Sequence, residues 1–212
     1  MPRFLVVLDA DSTLLEDEVI ELLADAAGTR PRVQAVTERA MRGEIDFAAS
    51  LRERVATLAG LPVGVFAEAQ QAVRVTDGAR ELVDGVHAAG GTVGVVSGGF
   101  HEVLDPFADA LGLDHCRANR LEVRDRVLTG QVLGAVVDAR AKADSLLAWA
   151  AADGVDPART VAVGDGANDL GMMAVAGLAV AFDAKPRVRA EADVAVVDRD
   201  LSVVLAALGL RG

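Results

Sequence analysis

The chain has no tyrosine, and aromatic residues make up only 3% of it, so its core must be built from Val, Leu and Ala. It has a single cysteine, Cys116, which excludes an intramolecular disulfide, and the surrounding LDHCRAN has no metal-ligand spacing. No stretch approaches the ~20 apolar residues of a membrane span. The apolar run that opens the chain is too short for a signal peptide and meets acids at once. Positive charge is also scarce: the formal charge is −11 and the pI is near 4.7. Nucleic acid and anionic membranes need clustered Lys and Arg, so neither is expected as a partner. A soluble cytoplasmic protein is the expectation, with a locally positive site if its substrate is an anion.

What is there suits one large domain, or a core with a smaller companion: 212 residues, 52% hydrophobic, mean hydropathy +0.33. Short apolar runs end in polar loops. They are Phe4–Leu8 before DADST, Val93–Val96 before SGGF, Val161–Val163 before GDGAND, Leu178–Phe182 before DAKP and Ala192–Val197 before DRD. Such runs predict strands buried on both faces of a parallel sheet. Helical patterns over Gly78–Ala89, His101–Leu111, Lys142–Ala152 and Asp169–Ala176 alternate with them. Alternation of this kind predicts a Rossmann-like, doubly wound α/β fold, with functional groups in the loops at the carboxyl ends of the strands.

Two segments break the alternation. From Leu14 to Val75 the chain reads as helices over Glu16–Ala27, Pro31–Arg42, Asp46–Leu58 and Val63–Val73, with glycine stops and proline starts. This predicts a small helical-bundle cap domain, 14–75, inserted into a core made of 1–13 and 76–212. The second is Arg120–Val132, whose β-rich halves flank a polar turn and predict a hairpin.

In extended backbone, Asp9 and Asp11 of DADST project to the same side. Two carboxylates so placed repel, unless a cation sits between them or one stays protonated. Taken alone, the cluster fits a helix-capping turn almost as well as catalysis. An EF-hand counted from Asp9 fails, because Leu14 and Ile20 stand where Gly and an acid are needed. GDGAND has Asp169 where a dinucleotide fingerprint needs glycine. Asp165 beside Asp9 and Asp11 would instead make an all-oxygen site suited to Mg²⁺. VVSGGF offers a hydroxyl and free N–H groups as a phosphate cradle. HEVLD at His101 lacks the second His of a zinc helix, and GxSxG is absent.

DADST, SGG, a lysine and GDGAND, in that order, resemble the haloacid dehalogenase (HAD) superfamily of phosphatases over the whole chain. The segment AMRGEIDFAASLRERVATLAGLP and the blocks VVSGGF, ANRLEV, LTG and VAVGDGANDLGMM are similar to its phosphoserine phosphatase branch. The resemblance implies a Mg²⁺-dependent phosphomonoester hydrolase that converts O-phospho-L-serine to L-serine, the last step of serine biosynthesis. Asp9 would be the nucleophile that carries an aspartyl-phosphate, and Asp11 the acid and then the base. The metal would sit on Asp9, the Asp11 carbonyl and Asp165. Lys142 would offset charge, and Asp169 would orient Lys142 or metal-bound water. Ser97, Gly98 and Asn168 would hold the phosphoryl oxygens and neighbouring substrate groups. Glu18 would meet the substrate ammonium and Arg54 its carboxylate, under an apolar lid of Met41 and Phe47.

Ala10, between the two aspartates, is smaller than the family's usual residue, which bears on packing rather than chemistry. A regulatory extension before the first motif is not expected, nor is feedback through one. Two rival readings remain: a HAD phosphatase or phosphotransferase for another small phosphometabolite, and a non-catalytic phosphate-binding protein. The sequence leaves monomer or homodimer open.

Overall fold

The computed structural model describes residues 1–210. The chain runs β1 (Leu5–Leu8), helices α1 (Val19–Ala26), α2 (Arg30–Met41), α3 (Phe47–Ala56) and α4 (Val65–Ala72), then α5 (Ala79–Ala88) and β2 (Thr92–Phe100). Next come α6 (His101–Leu111), β3 (His115–Arg124), β4 (Val127–Leu133), α7 (Ala139–Asp153) and β5 (Thr160–Gly164). It ends with α8 (Leu170–Met173), β6 (Leu178–Phe182), α9 (Pro186–Glu191), β7 (Val194–Val196) and α10 (Val204–Ala207). No helix among the described residues is long and apolar enough to cross a membrane.

One seven-stranded sheet has the order β4-β3-β2-β1-β5-β6-β7, and all neighbours are parallel except β3 and β4. The chain leaves β1 toward β2 on one side and returns to β5 on the other, so β1 lies at the point where the winding reverses. The period of two explains the apolar runs. Val6 and Leu8 enter the cluster on the face covered by α5 and α6, while Leu5 and Val7 enter the one covered by α7 and α8.

Helices α1–α4 leave and rejoin the sheet through two paired segments. Glu16 N–H donates to Arg74 O (2.9 Å), and Thr76 N–H donates to Leu14 O (3.0 Å). The β3–β4 hairpin holds the inserted helices at a second place. Gly60 N–H reaches Leu128 O (2.8 Å), Leu128 N–H reaches Leu61 O (2.8 Å), and Val63 N–H reaches Arg126 O (3.0 Å).

Five expectations need correction. α1 begins at Val19 rather than Glu16, because Glu16 is held extended in the pairing with Arg74. SGGF does not follow β2 as a loop but is its last part, with a register irregularity between Val96 and Phe100. α8 spans four residues, not Asp169–Ala176. β3 begins at His115: its first half pairs in parallel with β2 before its second half forms the expected hairpin. α7 begins three residues before Lys142, because the Asp138 carboxylate caps it by accepting from Ala141 N–H (2.8 Å).

Candidate active site

DADST, SGGF and GDGAND converge beside a cavity of about 490 Å³, closed on its far side by α1–α3. Asp9 directly follows β1, and its N–H continues the ladder to Val163 O (2.9 Å). Its Oδ1 accepts from Ala10 N–H (2.7 Å) and lies 2.5 Å from Lys142 Nζ. The same ammonium donates to Asp169 Oδ1 (2.7 Å), and the other Asp169 oxygen accepts from Gly166 N–H (3.0 Å). Lys142 is 1% exposed and Asp169 is wholly buried. Gly164 is required by this packing, since a Cβ there would lie 2.4 Å from Asp169 Oδ2.

The site is short of positive charge. Oxygens of Asp9, Asp165 and Asp169 lie within 4.8 Å of one another, around one ammonium. Burial, then the charge of Asp169, pushes the Asp9 pKa up to about 8. Burial, Asp169 and Glu18 push Asp165 up to about 6. Asp11 is raised well above the usual carboxylate range by burial, then by Glu18 and Asp9, and its Oδ1 is buried without a hydrogen-bond partner. Burial opposes the charge on Lys142, but Asp169 and Asp9 outweigh it and raise its pKa. An all-oxygen donor set with surplus negative charge fits a hard divalent cation such as Mg²⁺.

The inserted helices supply the other wall. Of the three consecutive acids, Glu16 and Asp17 pair with Arg74, while Glu18 lines the cavity and accepts from Ser12 Oγ (3.0 Å). Arg54 is half-buried, and among the described residues the only hydrogen bond of its guanidinium is from Nε to Ser50 O (3.3 Å). It has no carboxylate partner among the described residues, and burial lowers its pKa despite Glu18 and Asp11. Ser50 Oγ, one turn earlier, is buried without a partner.

Phe47 lies over the glycines of SGGF: a Cβ on Gly98 would be 2.8 Å from its Cζ. Met41 lines the cavity but is 69% exposed. Asn168 lines the cavity as well. Ser97 is buried, and its Oγ accepts from Gly99 N–H (2.8 Å), which leaves the hydroxyl proton free to donate. Ala10 points into the apolar core.

Sequence reading missed two contributors. Buried Asn119 fixes the SGGF backbone: its Nδ2 donates to Gly98 O (2.8 Å), and its Oδ1 accepts from Val137 N–H (2.8 Å). Both partners are far away in sequence, so no local motif shows the role. Lys185, of DAKP, also lines the cavity.

A second cluster, His101, Asp105 and Cys116, does not make a good metal site. His101 Nε2 accepts from Ala118 N–H (2.9 Å), so the ring proton sits on Nδ1 and is donated to Asp105 (2.6 Å). Ligation through Nδ1 would move that proton to Nε2, against the Ala118 donor. The Cys116 thiol is pushed up to about 12 by burial, then by Asp105, so it is not a ready nucleophile.

A family model of haloacid dehalogenase-like hydrolases matches residues 6–174. The phosphoserine phosphatase of Streptococcus thermophilus is 49% identical over 201 residues, which cover 95% of this chain and 94% of that protein. That of Streptomyces coelicolor is 53% identical over 97% of this chain, and this chain spans 50% of its length. Among solved structures, a phospho-aspartyl intermediate analogue of phosphoserine phosphatase superposes with a TM-score of 0.92 at 40% identity, covering 98% of this chain and 99% of that one. A substrate-bound phosphoserine phosphatase complex gives the same values.

Proposed function

The chain belongs to the haloacid dehalogenase-like hydrolases, and from that premise we propose that it hydrolyses O-phospho-L-serine to L-serine and inorganic phosphate through an aspartyl-phosphate on Asp9. The observation that carries the substrate is the half-buried, unpaired Arg54 in the same cavity as Glu18 and the acidic pair. A guanidinium suits a carboxylate, and a carboxylate suits an ammonium. Together they match the two ends of an amino acid whose phosphate points at Asp9. In this reading residues 14–75 act as the cap over the core formed by 1–13 and 76–212.

The chain's own residues divide the chemistry. Asp9 Oδ1 is engaged by Ala10 N–H and Lys142, which leaves Oδ2 to attack phosphorus. Asp11 holds a proton because burial and its acidic neighbours favour the neutral form. It gives that proton to the departing serine oxygen and takes one back from the water that cleaves the aspartyl-phosphate. Asp169 positions Lys142, whose charge offsets the repulsion between nucleophile and phosphate. Ser97 Oγ, Gly98 N–H and Asn168 hold phosphoryl oxygens and neighbouring substrate groups, while Phe47 and Met41 wall the cavity against water. Asp9, the Asp11 carbonyl and Asp165 would hold Mg²⁺. When bound, that ion adds positive charge for the phosphoryl group.

Phosphate release from O-phospho-L-serine and from a panel of small phosphomonoesters, with Mg²⁺ and with EDTA, tests the reading. We expect a strong preference for phosphoserine, lost in EDTA and in Asp9→Asn. Metal-dependent turnover directed at another ester would discard the roles given to Glu18 and Arg54. No turnover by folded protein would leave a phosphate-binding protein.

A further inference from the structure

Nearly every cation in this chain is arginine: of 21 Lys and Arg residues only Lys142 and Lys185 are lysine. Lys142 is the buried ammonium between Asp9 and Asp169. Lys185 lines the cavity in front of them, on the side of the sheet, whereas Arg54 comes from the inserted helices. Both lysines of the molecule therefore lie at one site.

Local conformation and two hydrogen bonds fix the backbone that presents Lys185. Asp183, just past β6, takes a left-handed φ of 40°. Among the described residues the other non-glycine positive φ values are at Ser12, beside Asp11, and at Asp125 and Arg126 in the β3–β4 turn. Outside that turn, left-handed non-glycine backbone among the described residues thus falls in the two loops that leave β1 and β6 at the cavity. Ala184 is buried, and its carbonyl accepts from Arg189 Nε. Lys185 N–H donates to Asp165 O (3.4 Å), and Pro186 opens α9 directly afterwards. The side chain itself is exposed, and no ion pair to it is found among the described residues.

The charges explain what such a residue is for. Asp9, Asp11, Glu18, Glu21 and Asp165 line the cavity, against Arg54 and Lys185 as the only lining cations among the described residues. A phosphate dianion nearing this mouth, on a protein of charge −11, meets few cations at the surface. Arg54 has the planar fork that suits a carboxylate. Lysine is a compact point charge with three donors on a flexible stem, which suits a tetrahedral phosphate.

We propose that Lys185 is the phosphate-capturing residue of this site: its ammonium draws the phosphoryl dianion through the acid-lined mouth and holds one of its oxygens in the bound substrate. The proposal rests on the phosphatase reading, but not on serine as the leaving group.

The test measures steady-state kinetics of Lys185→Ala and Lys185→Arg on O-phospho-L-serine and phenyl phosphate, at low and high NaCl, with inhibition by inorganic phosphate. In Lys185→Ala, KM for both esters and Ki for phosphate rise about tenfold, as for loss of one charge-assisted hydrogen bond, while kcat stays within about twofold. The salt dependence of kcat/KM flattens in the same variant. Lys185→Arg, which keeps the charge, recovers most of the loss. Unchanged KM and Ki in Lys185→Ala overturn the proposal, as does an effect confined to phosphoserine or a Lys185→Arg variant as impaired as the alanine one. If wild type ignores phosphoserine while the phenyl phosphate and Ki effects hold, the substrate reading falls and Lys185 stands. If phosphoserine is hydrolysed and Lys185→Ala changes nothing, Lys185 alone falls.

Discussion

A guanidinium that loses hydration without gaining a carboxylate is costly, and Arg54 is in that position. In the proposed function the cost persists because the group awaits the substrate carboxylate. Glu18 shares the cavity but is occupied by the Ser12 hydroxyl at one oxygen, and it leaves the other for a cation. Truncating Arg54 removes one partner of what becomes a shielded charge pair, for which losses of ~2–5 kcal/mol are typical. Arg54→Ala should therefore lower kcat/KM for phosphoserine by roughly 10²-fold or more and leave phenyl phosphate, which has no carboxylate, within about threefold. Parallel loss on both substrates would show that Arg54 supports the fold of α3 instead of reading the substrate.

At the level of elements, the inserted helices meet the sheet where α3 begins. Asp46 caps α3 by accepting from Ala49 N–H (2.7 Å), and this sets Phe47 in the first turn, above Gly98. The missing Cβ at 98 is what lets the ring come so close. Gly98→Ala keeps the N–H but places a methyl 2.8 Å from Phe47 Cζ, so the ring must move. We expect Gly98→Ala to lower kcat/KM in wild type but to add little in a Phe47→Ala background, a coupling that a double-mutant cycle reads directly. Equal effects in both backgrounds would place the damage in the strand.

This contact also shows which parts of the structure were legible in the sequence. The strands, the four inserted helices and the acidic loops follow from local periodicity and turn chemistry, and each lies near its expected bounds. SGGF read as a loop because its glycines break the strand pattern, whereas β2 carries through them with irregular register. α1 read three residues too long because pairing with Arg74, 58 positions away from Glu16, overrides local helix propensity. Asn119 and Lys185 escaped notice for the same reason: their partners at the site come from distant segments.

For the whole molecule, the site concentrates negative charge in a chain that already carries −11. Asp9 and Asp165 have folded pKa values of about 8 and about 6, against 3.8 for an ordinary carboxyl. Without a divalent cation, the folded state therefore binds more protons than the unfolded state across this range, and stability falls as pH rises. The loss begins above 3.8, where the unfolded carboxyls ionise, and is complete once pH passes the Asp9 value of about 8. In EDTA the unfolding midpoint should drop between about pH 5 and about pH 8, and Mg²⁺ should raise it most at the upper end. General self-repulsion also grows with pH, so Asp9→Asn provides the control. It removes one buried carboxyl and should be more stable than wild type at about pH 8 in EDTA, although inactive. If Asp9→Asn keeps the full pH slope of the wild type, the surplus of carboxylates around Lys142 is not what destabilises the metal-free protein.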